Sequence, residues 1–327
     1  MNIHKISLTP YGSMTTLPDS QTIFGAMCWS IRELYGEDEL EELLSNFIDH
    51  ENKFVVSSSF IEGLFKAPVM NWATLEEIID IGNKMDIESS QLAIRGKRLN
   101  KIEYMSEQVF KDYLEGKLDR KEVVEDILTG KGKFYTSENI LQYKDEKIGA
   151  IDYYEENSRR NLINRLSGTT DEGKLFYYKR GFLKPNTNLY FLIKTENIDY
   201  FLPVFRYMAD SAIGGDKSVG VNGFRVTYKG IFNYTKNIEE NLLLSKYIPH
   251  YEEVNWEESM YKISIGNYKI ESRHDFFGQD ILKSQIGYIV EGSKIVLRQN
   301  KEIYGRLPIV KDINYKKIRH NGLGFFL

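Results

Sequence analysis

One cysteine, five histidines and seven prolines are all that this chain of 327 residues holds of those types. The lone Cys28 excludes a disulfide within the chain, a cysteine-based zinc site and an iron–sulfur cluster. His4, His50, His250, His274 and His320 show no pair at metal-ligand spacing, so no metal or other cofactor is expected. No run of about 18 apolar residues occurs. The opening Met1-Asn2-Ile3-His4-Lys5 lacks the apolar stretch of a signal peptide, which makes a reducing cytoplasm the expected location. An excess of positive charge is missing too. Lys and Arg number 43 against 47 Asp and Glu, a formal net charge of −4. That balance excludes a uniformly basic nucleic-acid binder: any RNA or DNA must be met by a local patch, and the acidic remainder can face protein partners.

What is present reads as globular. Hydrophobic residues make up 42% and aromatic residues 13%, with 22 tyrosines whose polar-tipped rings suit cores, interfaces and base stacking alike. Ile3 to Leu8 alternates as a strand. Asp19 or Ser20 then caps a helix with Ile23, Met27, Ile31 and Leu34 on its core face, and Gly36 ends it. An acidic helix follows through Leu40, Leu43, Leu44 and Phe47, most simply a solvated face, and Lys53 to Phe60 is strand-like. Leu75 to Ile81 and Ser106 to Leu128 read as helices, separated by a basic stretch at Arg95, Lys97, Arg98 and Lys101. Asp152 to Thr170 is polar, with little apolar periodicity. Strands resume at 173–182, 188–194 and 224–232, a short helical segment lies near 238–245, and strands return around 261–270, 287–297 and 322–327. This order predicts an α+β protein of two ferredoxin-like (RRM-like) domains joined by an irregular insertion. The boundaries expected are 1–165 for the N-terminal domain with its inserted region, and 166–327 for a C-terminal domain carrying the glycine-rich loop described next.

Four glycines fall within ten residues at Gly214, Gly215, Gly220 and Gly223, with Asp216, Lys217, Ser218 and Val219 between them. Phe201, Phe205, Met208, Ala209 and Ala212 upstream recur at helical spacing, with Pro203 tolerable near a helix start; Phe224, Val226 and Tyr228 downstream alternate as in a strand. A nucleotide-binding P-loop needs the opposite order, strand then helix, and ends in Gly-Lys-Ser/Thr. Here the adjoining helix end is a C-terminus, whose dipole repels anions. Phosphate would have to be held by loop amides and the Lys217 charge. Taken alone, such a loop is more often a glycine cap followed by a tight turn.

A second feature is Ser158-Arg159-Arg160-Asn161-Leu162-Ile163-Asn164-Arg165-Leu166-Ser167-Gly168-Thr169-Thr170, followed by the aromatic run Glu172-Gly173-Lys174-Leu175-Phe176-Tyr177-Tyr178. Arginine forks grip phosphate and asparagine reads phosphates and base edges, whereas a solvated loop is the usual fate of such runs. Pro18-Asp19-Ser20-Gln21-Thr22-Ile23-Phe24-Gly25-Ala26-Met27, then Asn161 to Thr170 with Glu172 to Phe176, then Gly214 to Gly220 together resemble, in that order, the RAMP superfamily of CRISPR effector proteins. Within it they are most similar to the family of the fourth subunit of the type III-A Csm complex. The three segments span residues 18 to 224.

The resemblance implies a non-catalytic subunit that holds the repeat-derived 5′ tag of a guide RNA. It would join the large polymerase/cyclase-type subunit to the backbone RAMP subunits, and meet target RNA through the guide duplex. It also implies two RRM-like domains and a protruding thumb hairpin, which by position would come from the irregular insertion. Residue by residue, it implies backbone–phosphate contact at Gly214, Gly215, Lys217, Ser218, Val219 and Gly220, RNA contact at Ser20, Gln21 and Thr22, and either RNA contact or bracing of the inter-domain seam at Asn161, Asn164, Arg165 and Thr170. Arg95, Lys97 and Arg98 could track the guide backbone, though a solvated face explains them equally well; the run Lys316 to His320 reads the same way. The rival is a metal-independent RAMP endoribonuclease that processes precursor guide RNA, with His4 as the general acid/base; a lone histidine on a strand is more often structural. A third reading is a scaffold that binds protein only.

Overall fold

The structure is a computed structural model that describes every residue except 147, 150, 152, 164–165, 272–280 and 314–315, with the backbone alone for Leu162, Asp171, Glu172, Lys174 and Ser218. The first strand, β1 (Asn2–Pro10), leads to α1 (Ser20–Tyr35) and α2 (Glu37–Ser45), then the short strands β2 (Val55–Val56) and β3 (Phe60–Ile61). Far along the chain come β10 (Leu189–Thr195), α7 (Ile198–Ser211) and β11 (Phe224–Ile231). These distant pieces form one antiparallel sheet of order β11-β1-β10-β2, with β3 also on β10. β10 is central and its residues Leu189 to Ile193 are fully buried, which is why it reads as an unbroken apolar run rather than an alternating one.

Helix α1 forms as its sequence demands. Asp19 accepts from Thr22 N at 2.8 Å as the N-cap; Ile23, Met27 and Ile31 are fully buried; Gly36, at φ 104°, ends the helix. Leu34, expected on the core face, is 40% exposed. Helix α7 packs beside α1 and buries Phe201, Val204, Phe205 and Met208. It starts at Ile198, so Pro203 lies inside it rather than at its start, and the buried aromatic face offsets the missing backbone bond.

Two bodies of chain lie between β3 and β10. The first is a four-stranded sheet of order β4-β5-β7-β6, built from β4 (Leu64–Lys66), β5 (Tyr104–Ser106), β6 (Phe134–Ser137) and β7 (Ile140–Tyr143). It carries α3 (Leu75–Lys84), α4 (Ser89–Leu99), α5 (Glu107–Leu114) and α6 (Arg120–Thr129). The single helix expected over 106–128 is therefore two, broken at Gly116 (φ 72°) and restarted by the Asp119 cap, and the basic stretch at Arg95 is helical. The second body is a two-stranded arm of β8 (Tyr153–Ile163) and β9 (Thr170–Leu183), paired from Tyr153↔Leu183 out to Ile163↔Thr170. The segment 152–170, expected to be irregular, is mostly strand.

Residues 241–327 form short antiparallel pairs: Asn241–Leu242 with Lys294–Ile295, Ile263–Gly266 with Ile286–Ile289, Gly305–Arg306 with Gly322–Leu323, and Ile309–Ile313 with Lys316–Arg319. The helix expected near 238–245 is extended chain. Leu242, Leu243 and Leu244 are all fully buried, as happens to a strand covered on both faces. Leu244 accepts from Ser58 N and donates to Phe325 O, each at 2.8 Å, so this last part is fastened to the first sheet. Through it one continuous core runs from Ile3 to Leu327. A boundary at 165/166 would cut the main sheet between β1 and β10, and the glycine-rich loop belongs to that sheet's own α7–β11 connection, not to a C-terminal domain. The molecule is thus a mixed α/β protein of seven described α-helices and several sheets.

Candidate nucleic-acid interface

The glycine-rich loop starts where α7 ends. Ala212 (φ 61°), Gly214 (φ 109°), Asp216 (φ 55°), Gly220 (φ 75°) and Asn222 (φ 61°) all take left-handed backbone, around a single 3-10 turn at Lys217–Val219. Ile213 and Val221 are buried and close the loop like a clasp, with Ile213 N donating to Asn222 O at 3.0 Å. The Asn222 side chain donates to Gly215 O at 2.8 Å and accepts from Thr15 N at 2.9 Å. Segment 11–15 completes the seat: Tyr11 N donates to Gly223 O, and Asn222 N to Ser13 O, both at 2.9 Å. The rim of Gly215, Asp216, Val219 and Gly220 stays exposed, leaving backbone groups toward solvent in a nest-like turn.

Gly214 is where this loop meets α1. A Cβ built there would stand in ordinary contact with Thr22 Cγ2 and Asn222 Nδ2, each at 3.4 Å, so it is the left-handed backbone at φ 109° rather than lack of space that calls for glycine where the loop passes the helix start. The loop and the first-helix motif, about 190 residues apart in sequence, are therefore neighbours. Lys217 is not the free cation its sequence position suggests, because it pairs with Glu271 at 2.9 Å, both side chains mostly covered.

The start of α1 is equally occupied. Asp19 Oδ1 accepts from Thr22 N and from Thr22 Oγ1 at 2.7 Å, while Oδ2 accepts from Lys246 Nζ and from Tyr268 OH at 3.0 Å. Burial alone would raise the Asp19 carboxyl, but Lys246 and Thr22 outweigh it and hold it below its ordinary value. For Lys246 burial pulls down, and Asp19 and its hydrogen bond push the ammonium above its ordinary value. Ser20 is fully buried: its N donates to Ser58 Oγ at 3.0 Å, its Oγ accepts from Lys246 N at 3.0 Å, and its O accepts from Asn321 Nδ2 at 3.3 Å. Gln21 is buried with its amide oxygen and nitrogen both unbonded. The amides expected to be open to phosphate at Ser20 and Thr22 are therefore committed inside the protein.

The remaining expected residues separate from this centre. Asn161 and Thr170 are exposed at the outer end of the arm, so they brace no buried seam; Asn164 and Arg165 lie outside the described residues. Arg95 donates to Leu128 O at 2.7 Å and so caps the last turn of α6. Lys97 and Arg98 are exposed on α4. The arm carries what sequence reasoning undervalued. On one face the Tyr178 ring stands between the guanidinium of Arg160, 5.0 Å away, and that of Arg180, 6.0 Å away, with Tyr154 stacked on Phe182; on the other, Arg159 lies over Tyr177 at 5.9 Å. At the arm's base, Met14 and Gly181 exchange two backbone hydrogen bonds of 2.8 Å, and the Tyr153 ring lies over Gly181, where a Cβ would push it aside.

His4 is buried, its Nδ1 is 3.1 Å from Tyr228 OH, and burial lowers its pKa. Among the described residues no group of three or more His, Cys, Asp or Glu could hold a metal ion, and no helix is long and apolar enough to cross a membrane. Cys28 has its thiol pushed up to about 12 by burial.

No protein-family model matches the chain. In sequence it is 22% identical over 258 residues to the CRISPR system Cms protein Csm4 of Thermococcus onnurineus (strain NA1), covering 77% of this chain and 76% of that one. Among solved structures it is similar to a chain of the Csm3–Csm4 subcomplex of the type III-A CRISPR–Cas interference complex, with a TM-score of 0.64 at 17% identity over 99% of this chain and 98% of the other. It is similar as well to a chain of the Csm1–Csm4 cassette in complex with cA4, with a TM-score of 0.59 at 16% identity over 100% and 97%. The resemblance to the RAMP superfamily, and within it to the fourth Csm subunit, is borne out in both sequence and fold.

Proposed function

We propose that this chain, as a Csm4-type RAMP protein, is a non-catalytic RNA-binding subunit of a type III-A CRISPR effector in the cytoplasm. It holds the repeat-derived 5′ tag of the guide RNA and stands between a Csm1-like large subunit and a Csm3-like backbone subunit. The observation that carries this reading is the likeness of the fold, over essentially the whole chain, to chains from both a Csm1–Csm4 and a Csm3–Csm4 assembly. The strand order β11-β1-β10-β2 around α1 and α7 is that of a ferredoxin-like unit. We assign residues 2–61 with 189–231 to it, the helical body and the arm being insertions, and residues 241–327 to a second unit.

The parts divide the work. The exposed amides of the glycine-rich rim offer donors to RNA phosphates, and Lys217 joins them as Glu271 gives way. The arm, with its alternating arginines and aromatic rings, is the thumb: guanidinium and ring faces stack on unpaired bases whatever their identity. A low overall charge is compatible with this, because residues 153–183 of the arm hold six Lys and Arg against four Asp and Glu. His4 supports no ribonuclease, since a buried imidazole bonded to Tyr228 cannot reach a 2′-hydroxyl.

The test is reconstitution of the full chain with Csm1-like and Csm3-like partners and a guide RNA, followed by cross-linking from the tag. Cross-links at 214–220 and along 154–182, together with co-purification of both partners, are expected. Cross-links confined to the other subunits, or precursor RNA cleaved by this chain alone, would sink the reading.

A further inference from the structure

Three polar groups around the start of α1 lack partners among the described residues. Gln21, 7% exposed, has neither end of its amide bonded, and His320, 1% exposed, has neither ring nitrogen bonded. The third is the half-buried ammonium of Lys283, which makes no ion pair among the described residues. Lys283 and His320 share one neighbourhood around Asp19, and Gln21 lies two residues beyond Asp19 in α1. The Lys283 backbone N donates to Tyr268 O at 2.9 Å. The His320 ring lies 4.8 Å from the Tyr268 ring, and Tyr268 OH donates to Asp19, the cap of α1. Lys283 acts electrostatically on His320, Cys28 and Asp19, and burial pulls its own ammonium down.

Their chemistry is of one kind. Asp19 already has Lys246, Tyr268 and Thr22, and Glu291 accepts from Ser58. Among the described residues Lys283 is therefore a cation with no ion-pair partner of its own. An ammonium, an amide NH2 and an imidazole N–H are all donors, and an acceptor-only anion would satisfy them together. Buried donors are ordinarily paired, so a set left open at one place points to a group that arrives from outside. Thr22 Cγ2 faces Gly214 on one side, 3.4 Å from where a Cβ would stand, and Thr22 bonds Asp19 on the other. A single strand can thus run from the glycine-rich rim past Thr22 to Lys283.

We propose that Lys283, backed by Gln21 and His320, is a phosphate subsite for one nucleotide of bound single-stranded RNA, which rests on the RNA-binding reading above. Lys283, the half-open member, meets the phosphate first. Burial of the Lys283 ammonium outweighs its attraction to Asp19, so Lys283→Gln should fold at least as stably as the wild type.

The experiment measures binding of a labelled single-stranded repeat RNA to the full chain across a salt series, with Lys283→Gln and Lys283→Arg beside the wild type and thermal unfolding as the check on folding. Lys283→Gln should bind more weakly, with the slope of log affinity against log salt flatter by about 0.7; Lys283→Arg should keep the wild-type slope. Reductive methylation of Lys283 should be blocked by the RNA and not by inorganic phosphate. An unchanged slope in a folded Lys283→Gln overturns the subsite and leaves RNA binding standing. Equal protection by inorganic phosphate overturns the assignment to RNA, and a wild type that binds no RNA at low salt overturns both.

Discussion

Replacing Asp19 by Ala is the most informative single perturbation of this fold, because one carboxylate serves two structures. Oδ1 caps α1 through Thr22 N and Oγ1, and losing such a cap costs about 1 kcal/mol. Oδ2 is the counter-charge of Lys246 and accepts from Tyr268 OH. The two ionised side chains are 20% and 16% exposed, covered enough that water replaces little of the lost bond. A hydrogen bond to a charged group contributes about 1.5–3 kcal/mol, so Asp19→Ala should cost on the order of 3 kcal/mol in all. Lys246→Met removes only the second part, about 2 kcal/mol, since Thr22 continues to hold the carboxylate. The double mutant should be no worse than Asp19→Ala by more than a few tenths, which makes the coupling about 2 kcal/mol. Urea unfolding followed by Trp29 fluorescence, on α1 itself, measures the cycle. The dependence on pH adds a second reading. The folded Asp19 carboxyl is held below its unfolded value, so its contribution is present above about pH 4 and fades as pH falls through the lowered folded value. A coupling below about 0.5 kcal/mol, or one that persists unchanged in acid, would refute the account of α1 as pinned by this pair.

Gly214→Ala tests the loop's seat: with φ 109° and only ordinary contact ahead of the new methyl, the cost is backbone strain of about 1–3 kcal/mol, read as a lowered unfolding midpoint together with weaker RNA binding. His320 supplies an acid-sensitivity prediction. Burial first, then Lys283, pushes its pKa down to about 3, whereas the unfolded imidazole takes up a proton below about 6.5. Stability should therefore be full above pH 6.5 and fall by up to about 1.4 kcal/mol per unit below it; denaturant titrations should show that slope blunted in His320→Gln.

The elements that read clearly from sequence are those whose neighbours repeat along the chain. β1, α1, α7 and β11 announce themselves by period, and Asp19 by its place before Ile23, Met27 and Ile31. The arm stayed hidden for a physical reason. Both of its faces meet solvent, so Arg159, Arg160, Tyr177 and Tyr178 alternate with no apolar stripe for a periodicity to detect. Leu34 misled because it sits in the last turn of α1, where exposure at 40% shows the covering layer has ended. Leu242 to Leu244 misled because a run of three leucines suits a helix or a doubly covered strand equally. Within the candidate site, Thr22 and the glycine-rich loop were legible as motifs, but not that one rests on the other. Lys246, Tyr268, Lys283 and His320 carried no local signal at all. They reach Asp19 across 227, 249, 264 and 301 positions of sequence, and only the path of residues 241–327 over the first sheet brings them there.

The pair of backbone hydrogen bonds between Met14 and Gly181 has a mechanical side. It fixes the arm at one point, and segment 11–15 carries that point directly to Asn222 and Gly223 at the foot of the glycine-rich loop. From Glu155, opposite Gly181, out to Ile163 the arm extends eight residues, a reach of about 27 Å. A tilt of only about 10° at this fulcrum would sweep the tip through roughly 5 Å, more than the rise of one base along a strand (about 3.4 Å). The same tilt would tug at the loop through a lever arm of one or two residues. Load applied far out on the hairpin is thus geared down into small, forceful displacements beside Thr22, and a strand gripped at the loop would in turn set the angle at which the hairpin meets whatever lies beyond.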